Sequence, residues 1–188
     1  RGQPVATRHL SPDRRKNAGM TGAQVVIIGG GAMGVSLLYH LTKMGWSEVV
    51  LLEKNDLTHG STWHAAGLCT HFAHNPTIQE LRATSVRLYR DILPDETGQS
   101  CGFHASGAMR VTRNPDRMVE FRHVAGLSDF TGYPLEILTT ERIAELHPLA
   151  ELDGLLGGIY EPDDGHVDPT LATNAMAQVA QEGGATIK

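Results

Sequence analysis

The sequence predicts an α/β fold that begins with a parallel strand–helix–strand unit, and three observations support this prediction. The run Val25–Ile28 is short, apolar and rich in β-branched residues, which is typical of a parallel strand buried on both faces. Apolar residues then recur at helical spacing, at Val35, Leu37, Leu38 and Leu41. A second apolar run, Val49–Leu52, predicts the next strand.

A glycine motif connects the first strand to the helix. Gly29, Gly31 and Gly34 match G-x-G-x-x-G, whose glycines permit a tight turn, close approach of a pyrophosphate and close helix packing. Glu53 ends the second strand, about twenty residues beyond the glycines, where a carboxylate accepts hydrogen bonds from both adenosine ribose hydroxyls. An acid there repels a 2′-phosphate and disfavours NADP. These features predict a dinucleotide site, with a purely structural glycine turn as the alternative.

The loop 60–68 indicates which dinucleotide binds. It reads Gly-Ser-Thr-Trp-His-Ala-Ala-Gly-Leu and leaves the second strand beside the crevice where open α/β sheets bind ligands. Together with Glu53 and Lys54, this loop resembles the dimethylglycine and sarcosine dehydrogenase family, which are flavoproteins of the D-amino-acid oxidase type. The resemblance implies a Rossmann-like FAD-binding domain followed by the start of an antiparallel-sheet substrate domain.

The resemblance also implies which residues line the cofactor. These are Ala32, Met33, Glu53 and Lys54, together with the loop residues Gly60, Ser61, Thr62, Trp63, His64, Ala65, Ala66, Gly67 and Leu68. In the family, the loop histidine is bonded through a ring nitrogen to the 8α-methyl of FAD, and His64 is the residue that matches. A neutral imidazole is a suitable nucleophile for that methyl group. An ordinary polar role for His64 in the loop is the alternative.

The reaction is implied by the resemblance alone. In the family, the flavin accepts a hydride from an N-methyl carbon of a small amino acid, and the product is hydrolysed to formaldehyde or transfers its carbon to tetrahydrofolate. An electron-transfer flavoprotein then accepts the electrons. The resemblance places the substrate-gripping residues and the folate domain beyond Lys188, so no catalytic residue is assigned in this sequence.

Two other functions are compatible with the same lineage. The regulatory subunit of pyruvate dehydrogenase phosphatase shares the fold and acts by binding a partner, but its flavin loop typically departs from Trp-His-Ala-Ala. The intact His64 therefore argues against that function. An FAD amine or amino-acid oxidase that passes electrons to oxygen is the other alternative.

The chain divides into four predicted segments. Residues 1–22 are polar and Arg-rich and are expected to be disordered. Residues 23–75 form the FAD-binding part, 76–165 a helical connection and part of the substrate domain, and 166–188 a return to the FAD-binding domain. The chain starts without methionine and stops after a further strand has begun, so we expect part of a longer protein. Upstream of Met20, a cloning or translation artefact and a remnant of a mitochondrial targeting segment are the two interpretations.

Local signals predict the remaining elements. A helix begins at Asn75-Pro76 and is expected to stop at Pro94. Asp168 is the predicted N-cap of a helix over 170–182. Strands are predicted over 103–112, 135–138 and 154–160, helices over 116–129 and 139–146, and a turn over 161–165.

Composition excludes several classes of partner and site. Charged residues make up 20% of the chain and the formal net charge is −5, so nothing favours nucleic acid or an anionic membrane. Cys69 and Cys101 provide no disulfide framework and no secretory signal is visible, which predicts the bacterial cytoplasm or the mitochondrial matrix. Cys69, His71 and His74 lack a fourth ligand at conventional spacing, and we expect no metal site.

Overall fold

A computed structural model describes residues 22–127 and 131–188. The segment 1–22, predicted to be disordered, lies outside the described residues except for Gly22. Within the described ranges, no helix is both long and apolar enough to cross a bilayer.

A three-stranded parallel sheet contains the predicted strand–helix–strand unit. Strand β1 (Val25–Ile28), helix α1 (Ala32–Lys43) and strand β2 (Val49–Leu52) follow in order, with Val25 paired to Val49. Strand β8 (Thr186–Ile187) pairs with the other edge of β2, which gives the strand order β1-β2-β8. The α/β prediction is confirmed, because residues from both ends of the described chain enter one parallel sheet.

One face of this sheet carries the main core. Helix α1 packs beside helix α6 (Pro169–Glu182), and both cover the inward side chains of the strands, such as Ile27 and Leu51. On the other face, Val26 is 53% exposed and Ile28 is 87% exposed. The predicted burial of β1 on both faces is therefore wrong for the described residues, because they supply helices to one face alone.

A long helical segment begins a few residues after the loop 60–68. Helix α2 (Pro76–Arg87) is capped by Asn75, whose side chain accepts from the Thr77 N–H at 2.8 Å. The predicted stop at Pro94 is wrong: a π-helical turn (Leu88–Ile92) leads into helix α3 (Leu93–Thr97), which ends at Gly98 with φ +69°. In the π-helical turn the Leu93 N–H donates to the Leu88 carbonyl, five residues earlier. The regular α-helical hydrogen-bond pattern is therefore already interrupted just before Pro94, which has no N–H to donate.

The second sheet is antiparallel, and its assignment to a substrate domain stays a prediction. It contains β4 (Ala108–Thr112), β5 (Glu136–Leu138) and β6 (Gly157–Glu161) in the order β4-β6-β5. Helices α4 (Pro115–Gly126) and α5 (Thr140–Leu146) pack against it. The predicted strands over 103–112 and 154–160 are shorter or shifted, and residues 128 and 129 of the predicted helix over 116–129 lie outside the described ranges.

A two-stranded ribbon joins the two sheets. Strand β3 (Leu68–Cys69) runs antiparallel to β7 (Gly165–His166), with Leu68 opposite His166. Gly67 precedes the ribbon with φ +69°, and a Cβ there would lie 2.0 Å from the Val167 carbonyl oxygen. The close approach requires glycine, and it holds the loop 60–68 against the start of α6.

Candidate functional site

The glycine motif forms the turn between β1 and α1. Gly29 has φ +111°, a conformation that favours glycine, and its N–H donates to the Leu52 carbonyl at 2.8 Å. A Cβ on Gly34 would lie 2.0 Å from the Gly29 carbonyl oxygen, so helix and strand approach too closely for any side chain there. The turn thus has the bare backbone that a dinucleotide motif requires.

Glu53 lies directly beside this turn. Its Oε2 accepts from the Gly30 N–H at 2.6 Å, and its Oε1 accepts from the Asn55 N–H at 3.0 Å. The hydrogen bonds from Gly30 and then Asn55 hold the pKa of the Glu53 carboxyl below its usual range. An ionised carboxylate has about four acceptor positions. Positions are therefore left for the two hydroxyls of a ribose.

The loop 60–68 is fastened to the start of α1. Gly31 stands at the N-cap position without a side chain, and Thr62 supplies the missing cap from the loop: its Oγ1 accepts from the Ala32 N–H at 2.9 Å. The Thr58 N–H donates to the Gly30 carbonyl at 3.0 Å, which ties the preceding turn to the same place. The glycine turn and the loop are thereby one hydrogen-bonded unit.

His64 lies on a short 3₁₀ turn, Thr62–His64, at the surface of the loop. Its ring lies 3.7 Å from the Trp63 ring, centroid to centroid, and the Trp63 indole donates to the His59 carbonyl at 3.1 Å. Both rings line a cavity of about 630 Å³ with Thr170 at the start of α6. In the described part of the chain, no hydrogen bond or ion pair engages the His64 imidazole.

The other end of the loop opens on a second cavity, of about 170 Å³. Ala32 from the glycine motif and Ala65, Gly67 and Leu68 from the loop line it, opposite Met176 of α6. Six of the predicted cofactor residues therefore line one of these two cavities, Trp63 and His64 the first, and Ala32, Ala65, Gly67 and Leu68 the second. Five others are exposed: Met33, Lys54, Gly60, Ser61 and Ala66. The three motif glycines, Glu53 and Thr62 line neither cavity and are half-buried at the glycine turn.

The residues present fit an FAD. Gly30 is buried against Leu57 and Glu53, whereas nothing lies within 4 Å of a Cβ built on Gly29, so the backbone there is open to a pyrophosphate. The turn opens into the N-terminus of a twelve-residue helix, whose dipole favours a pyrophosphate. Glu53 supplies an ionised acceptor for ribose hydroxyls. The bare backbone of the glycine turn, the start of α1 and the Glu53 carboxylate therefore lie together at one edge of the sheet.

Comparison with known proteins decides the family. The family model described as FAD dependent oxidoreductase matches residues 24–188. The chain belongs to the FAD dependent oxidoreductase family. Glu53, the glycine turn and the loop 60–68 all lie inside the matched range.

This FAD dependent oxidoreductase chain is similar to several curated relatives. It is 45% identical over 166 residues to mitochondrial dimethylglycine dehydrogenase of Rattus norvegicus, covering 88% of the chain and 19% of that relative. It is 38% identical to the mitochondrial pyruvate dehydrogenase phosphatase regulatory subunit of Mus musculus, covering 88% and 19%. It is 36% identical to mitochondrial sarcosine dehydrogenase of Homo sapiens, covering 88% and 18%. The chain thus spans about a fifth of the length of these relatives.

A solved structure shares the architecture. L-proline dehydrogenase from P. horikoshii superposes with a TM-score of 0.79 at 27% identity, covering 88% of this chain and 43% of that one. The resemblance stated from the sequence is therefore confirmed at the level of the family and its fold.

Two buried acids of this oxidoreductase were missed by sequence reasoning, which assigned them to a turn. Glu161 is 1% exposed and Asp164 is 0% exposed. Asp164 Oδ1 accepts from the His71 N–H at 2.8 Å and lies 2.6 Å from His71 Nδ1, while Glu161 Oε2 accepts from the Phe72 N–H at 3.3 Å. Burial, and then the neighbouring Asp164, raises the pKa of Glu161 to about 8. In the sequence, the signal for this buried pair is two acids three residues apart, directly after a predicted strand.

The three residues weighed as metal ligands face different partners. Cys69 Sγ donates to the Gly67 carbonyl at 3.5 Å, His71 pairs with Asp164, and His74 contacts Glu120. Burial raises the pKa of the Cys69 thiol to about 11, which disfavours the thiolate that binds metals. Across residues 22–127 and 131–188, no group of three or more His, Cys, Asp or Glu side chains is arranged to hold a metal ion.

Proposed function

We propose that this chain is the FAD-binding part of a dehydrogenase that oxidises an N-methyl amine of the dimethylglycine or sarcosine type. The observation that supports the proposal most is that Glu53, the glycine turn and the loop bearing His64 are joined by hydrogen bonds into one site. The relatives named dimethylglycine and sarcosine dehydrogenases support the substrate class. When bound, FAD would supply the two-electron oxidation of the amine.

In this proposal the glycine turn and Glu53 hold the adenosine end of the cofactor. The Gly30 N–H orients the Glu53 carboxylate, whose remaining lone pairs accept the ribose hydroxyls. The bare backbone at Gly29 and Gly31 admits the pyrophosphate to the start of α1. The hydrogen bond from the Ala32 N–H to Thr62 fixes the loop to the start of that helix, so the helix positions both the cofactor and the loop.

His64 is the proposed attachment residue for the flavin. Nucleophilic attachment needs a neutral ring nitrogen with a free lone pair, and the described contacts leave the His64 imidazole without a hydrogen bond or ion pair. The adjacent Trp63 ring restricts its orientation from one side. A bond to the 8α-methyl would retain the cofactor permanently.

The proposed partners follow from the resemblance to dimethylglycine and sarcosine dehydrogenases. We propose an electron-transfer flavoprotein as the electron acceptor, and formaldehyde or tetrahydrofolate as the destination of the released carbon. The relatives named above carry the word mitochondrial in their names, which supports the matrix as the compartment, with the bacterial cytoplasm as the alternative.

Two competing functions give different results with the same holoprotein. A regulatory subunit of the pyruvate dehydrogenase phosphatase type, to which the chain is 38% identical, would show no amine turnover. An oxidase would produce peroxide in proportion to the amine consumed. A dehydrogenase oxidises the amine with an artificial or protein acceptor and forms little peroxide in air.

Acid precipitation of the holoprotein tests the attachment. We expect the wild-type pellet to keep its yellow colour and the His64→Ala variant to release its flavin into the supernatant. His59→Ala is the matched control, because His59 lines the same cavity, and its pellet should stay yellow. A colourless wild-type pellet, or a yellow His64→Ala pellet, would refute the attachment at His64.

A further inference from the structure

Two histidines lie side by side next to the β3–β7 ribbon, and the site described so far does not use them. His166 is the last residue of β7, and His104 lies opposite it on the segment that precedes β4. Both residues are exposed. Neither belongs to the glycine turn or to the loop 60–68, and neither lines the cavity that contains His64.

The backbone fixes the positions of the two histidines. The His104 N–H donates to the His166 carbonyl at 2.8 Å, and the His166 N–H donates to the His104 carbonyl at 3.1 Å. Residues that exchange both hydrogen bonds in an antiparallel pair have Cα atoms about 5.5 Å apart. Gly165 permits this approach, since a Cβ there would lie 2.0 Å from the His104 carbonyl oxygen. The pairing therefore sets the distance between the side chains before any ligand binds.

The two imidazole rings lie beside each other on one face of this pair. Their centroids are 5.0 Å apart and their planes are inclined by 23°. When two imidazoles bind one metal ion with metal–nitrogen bonds of about 2.0–2.1 Å, their ring centroids are also about 5 Å apart. The spacing of His104 and His166 thus suits a shared metal ion.

The ring nitrogens of both histidines are available as ligands. In the part of the chain that the structure describes, no hydrogen bond or ion pair engages either imidazole. His71 and His74 differ from them, because each of those rings contacts a carboxylate. His104 and His166 therefore lose no protein partner when they bind a metal ion through a neutral ring nitrogen.

The chemistry of the two ligands limits which ions fit. Imidazole nitrogen suits zinc, copper and nickel, whereas magnesium and calcium prefer oxygen ligands. Among residues 22–127 and 131–188, no third His, Cys, Asp or Glu joins the pair to complete a metal site. Water or an outside ligand would fill the remaining positions, so the ion would be exchangeable.

The pair is adjacent to the loop 60–68. Leu68, the last residue of that loop, is directly opposite His166 on the other side of β7. His166 therefore lies between Leu68 and His104. An ion held by the two histidines would fasten the segment around His104 to the ribbon that holds the loop.

We propose that His104 and His166 form a bidentate binding site for a divalent transition-metal ion. The site is separate from the proposed cofactor site and does not depend on the amine oxidation proposed above. Nitrogen coordination predicts that Cu²⁺ binds more tightly than Ni²⁺ or Zn²⁺ and that Mg²⁺ does not compete with them.

Calorimetric titration of the full-length holoprotein with zinc chloride tests this site. We expect His104→Ala and His166→Ala each to weaken Zn²⁺ binding by about 100-fold, because the second imidazole binds the ion intramolecularly. The double variant should lose no more than either single variant, since one imidazole alone cannot chelate. His147→Ala is the matched control, because His147 is exposed at the end of α5 away from the pair, and it should keep the wild-type affinity.

Bound Cu²⁺ gives a second readout, because its electron paramagnetic resonance spectrum reports the coordinating nitrogens. We expect two imidazole nitrogens in wild type and fewer in each single variant. If an alanine variant does not fold, His104→Gln and His166→Gln carry the same expectation. No Zn²⁺ binding by wild type, unchanged binding in both single variants, or additive losses in the double variant would overturn the proposal.

Discussion

Glu161 and Asp164 illustrate what single residues reveal only in the folded chain. In the sequence they flank Pro162 and Asp163 in a segment whose composition is typical of a turn. In the structure both carboxyls are buried and hold the backbone N–H groups of His71 and Phe72. Their burial depends on a segment about 90 residues earlier in the chain, so the residues of the turn alone do not predict it.

The raised pKa of Glu161 predicts a pH-dependent stability. Well below pH 4.5 both native and unfolded Glu161 bind the proton, but as pH rises towards 8 the unfolded state releases it while the native state retains it. The thermal midpoint of wild type should therefore fall across this window because of Glu161. Glu161→Gln mimics the protonated form, so its midpoint should exceed that of wild type at pH 7 to 8 and approach it below pH 4.5.

Calorimetry of the holoprotein at several pH values measures this difference. Glu182→Gln is a suitable control, because Glu182 is exposed at the end of α6, and it should follow the wild-type profile. A Glu161→Gln midpoint below that of wild type at pH 8 would show that Glu161 is charged in the native state, contrary to our assignment.

At the scale of elements, local chemistry predicted helix starts better than helix ends. Asn75 and Asp168 cap their helices as the sequence indicates, because an N-cap bond joins residues two or three apart. Pro94 does not end its helix, because a π-helical turn precedes it. Whether such a turn forms depends on tertiary packing of residues such as Leu88 and Leu93, which are buried in the main core.

Gly67→Ala tests how the loop is joined to the β3–β7 ribbon. A Cβ at this position would lie 2.0 Å from the Val167 carbonyl oxygen, and the residue has φ +69°. We expect the variant to lose about 2 kcal/mol or more of stability and to load less flavin, because Leu68 and the loop must shift. Thermal unfolding and the flavin-to-protein absorbance ratio measure both effects.

Gly60→Ala is the control from the same loop. Nothing lies within 4 Å of a Cβ there, and the substitution should change stability by about 0.5 kcal/mol or less. If Gly67→Ala were as well tolerated as Gly60→Ala, the close contact with Val167 would not fix the loop.

For the whole molecule, the order of strands, glycine turn and helix was sufficient to predict the α/β fold and its parallel unit. The sequence did not show which sheet face is covered, since Val26 and Ile28 are as apolar as their buried neighbours. Glu53 and the loop 60–68 were predicted as parts of the site because their motif is continuous. The division of the loop residues between two cavities depends on contacts with α6, from the other end of the described chain. The assignment of each residue to the cofactor stays a prediction.

Anaerobic mixing of the purified holoprotein with N,N-dimethylglycine tests the central claim most directly. If this chain holds the flavin of an N-methyl amine dehydrogenase, the visible absorbance band of oxidised flavin should bleach, and an added electron acceptor should restore it. N,N-dimethylglycine and sarcosine should both be tried, with glycine as the amine that lacks an N-methyl group. A flavin-loaded protein whose absorbance is unchanged by either methylated amine would contradict the account.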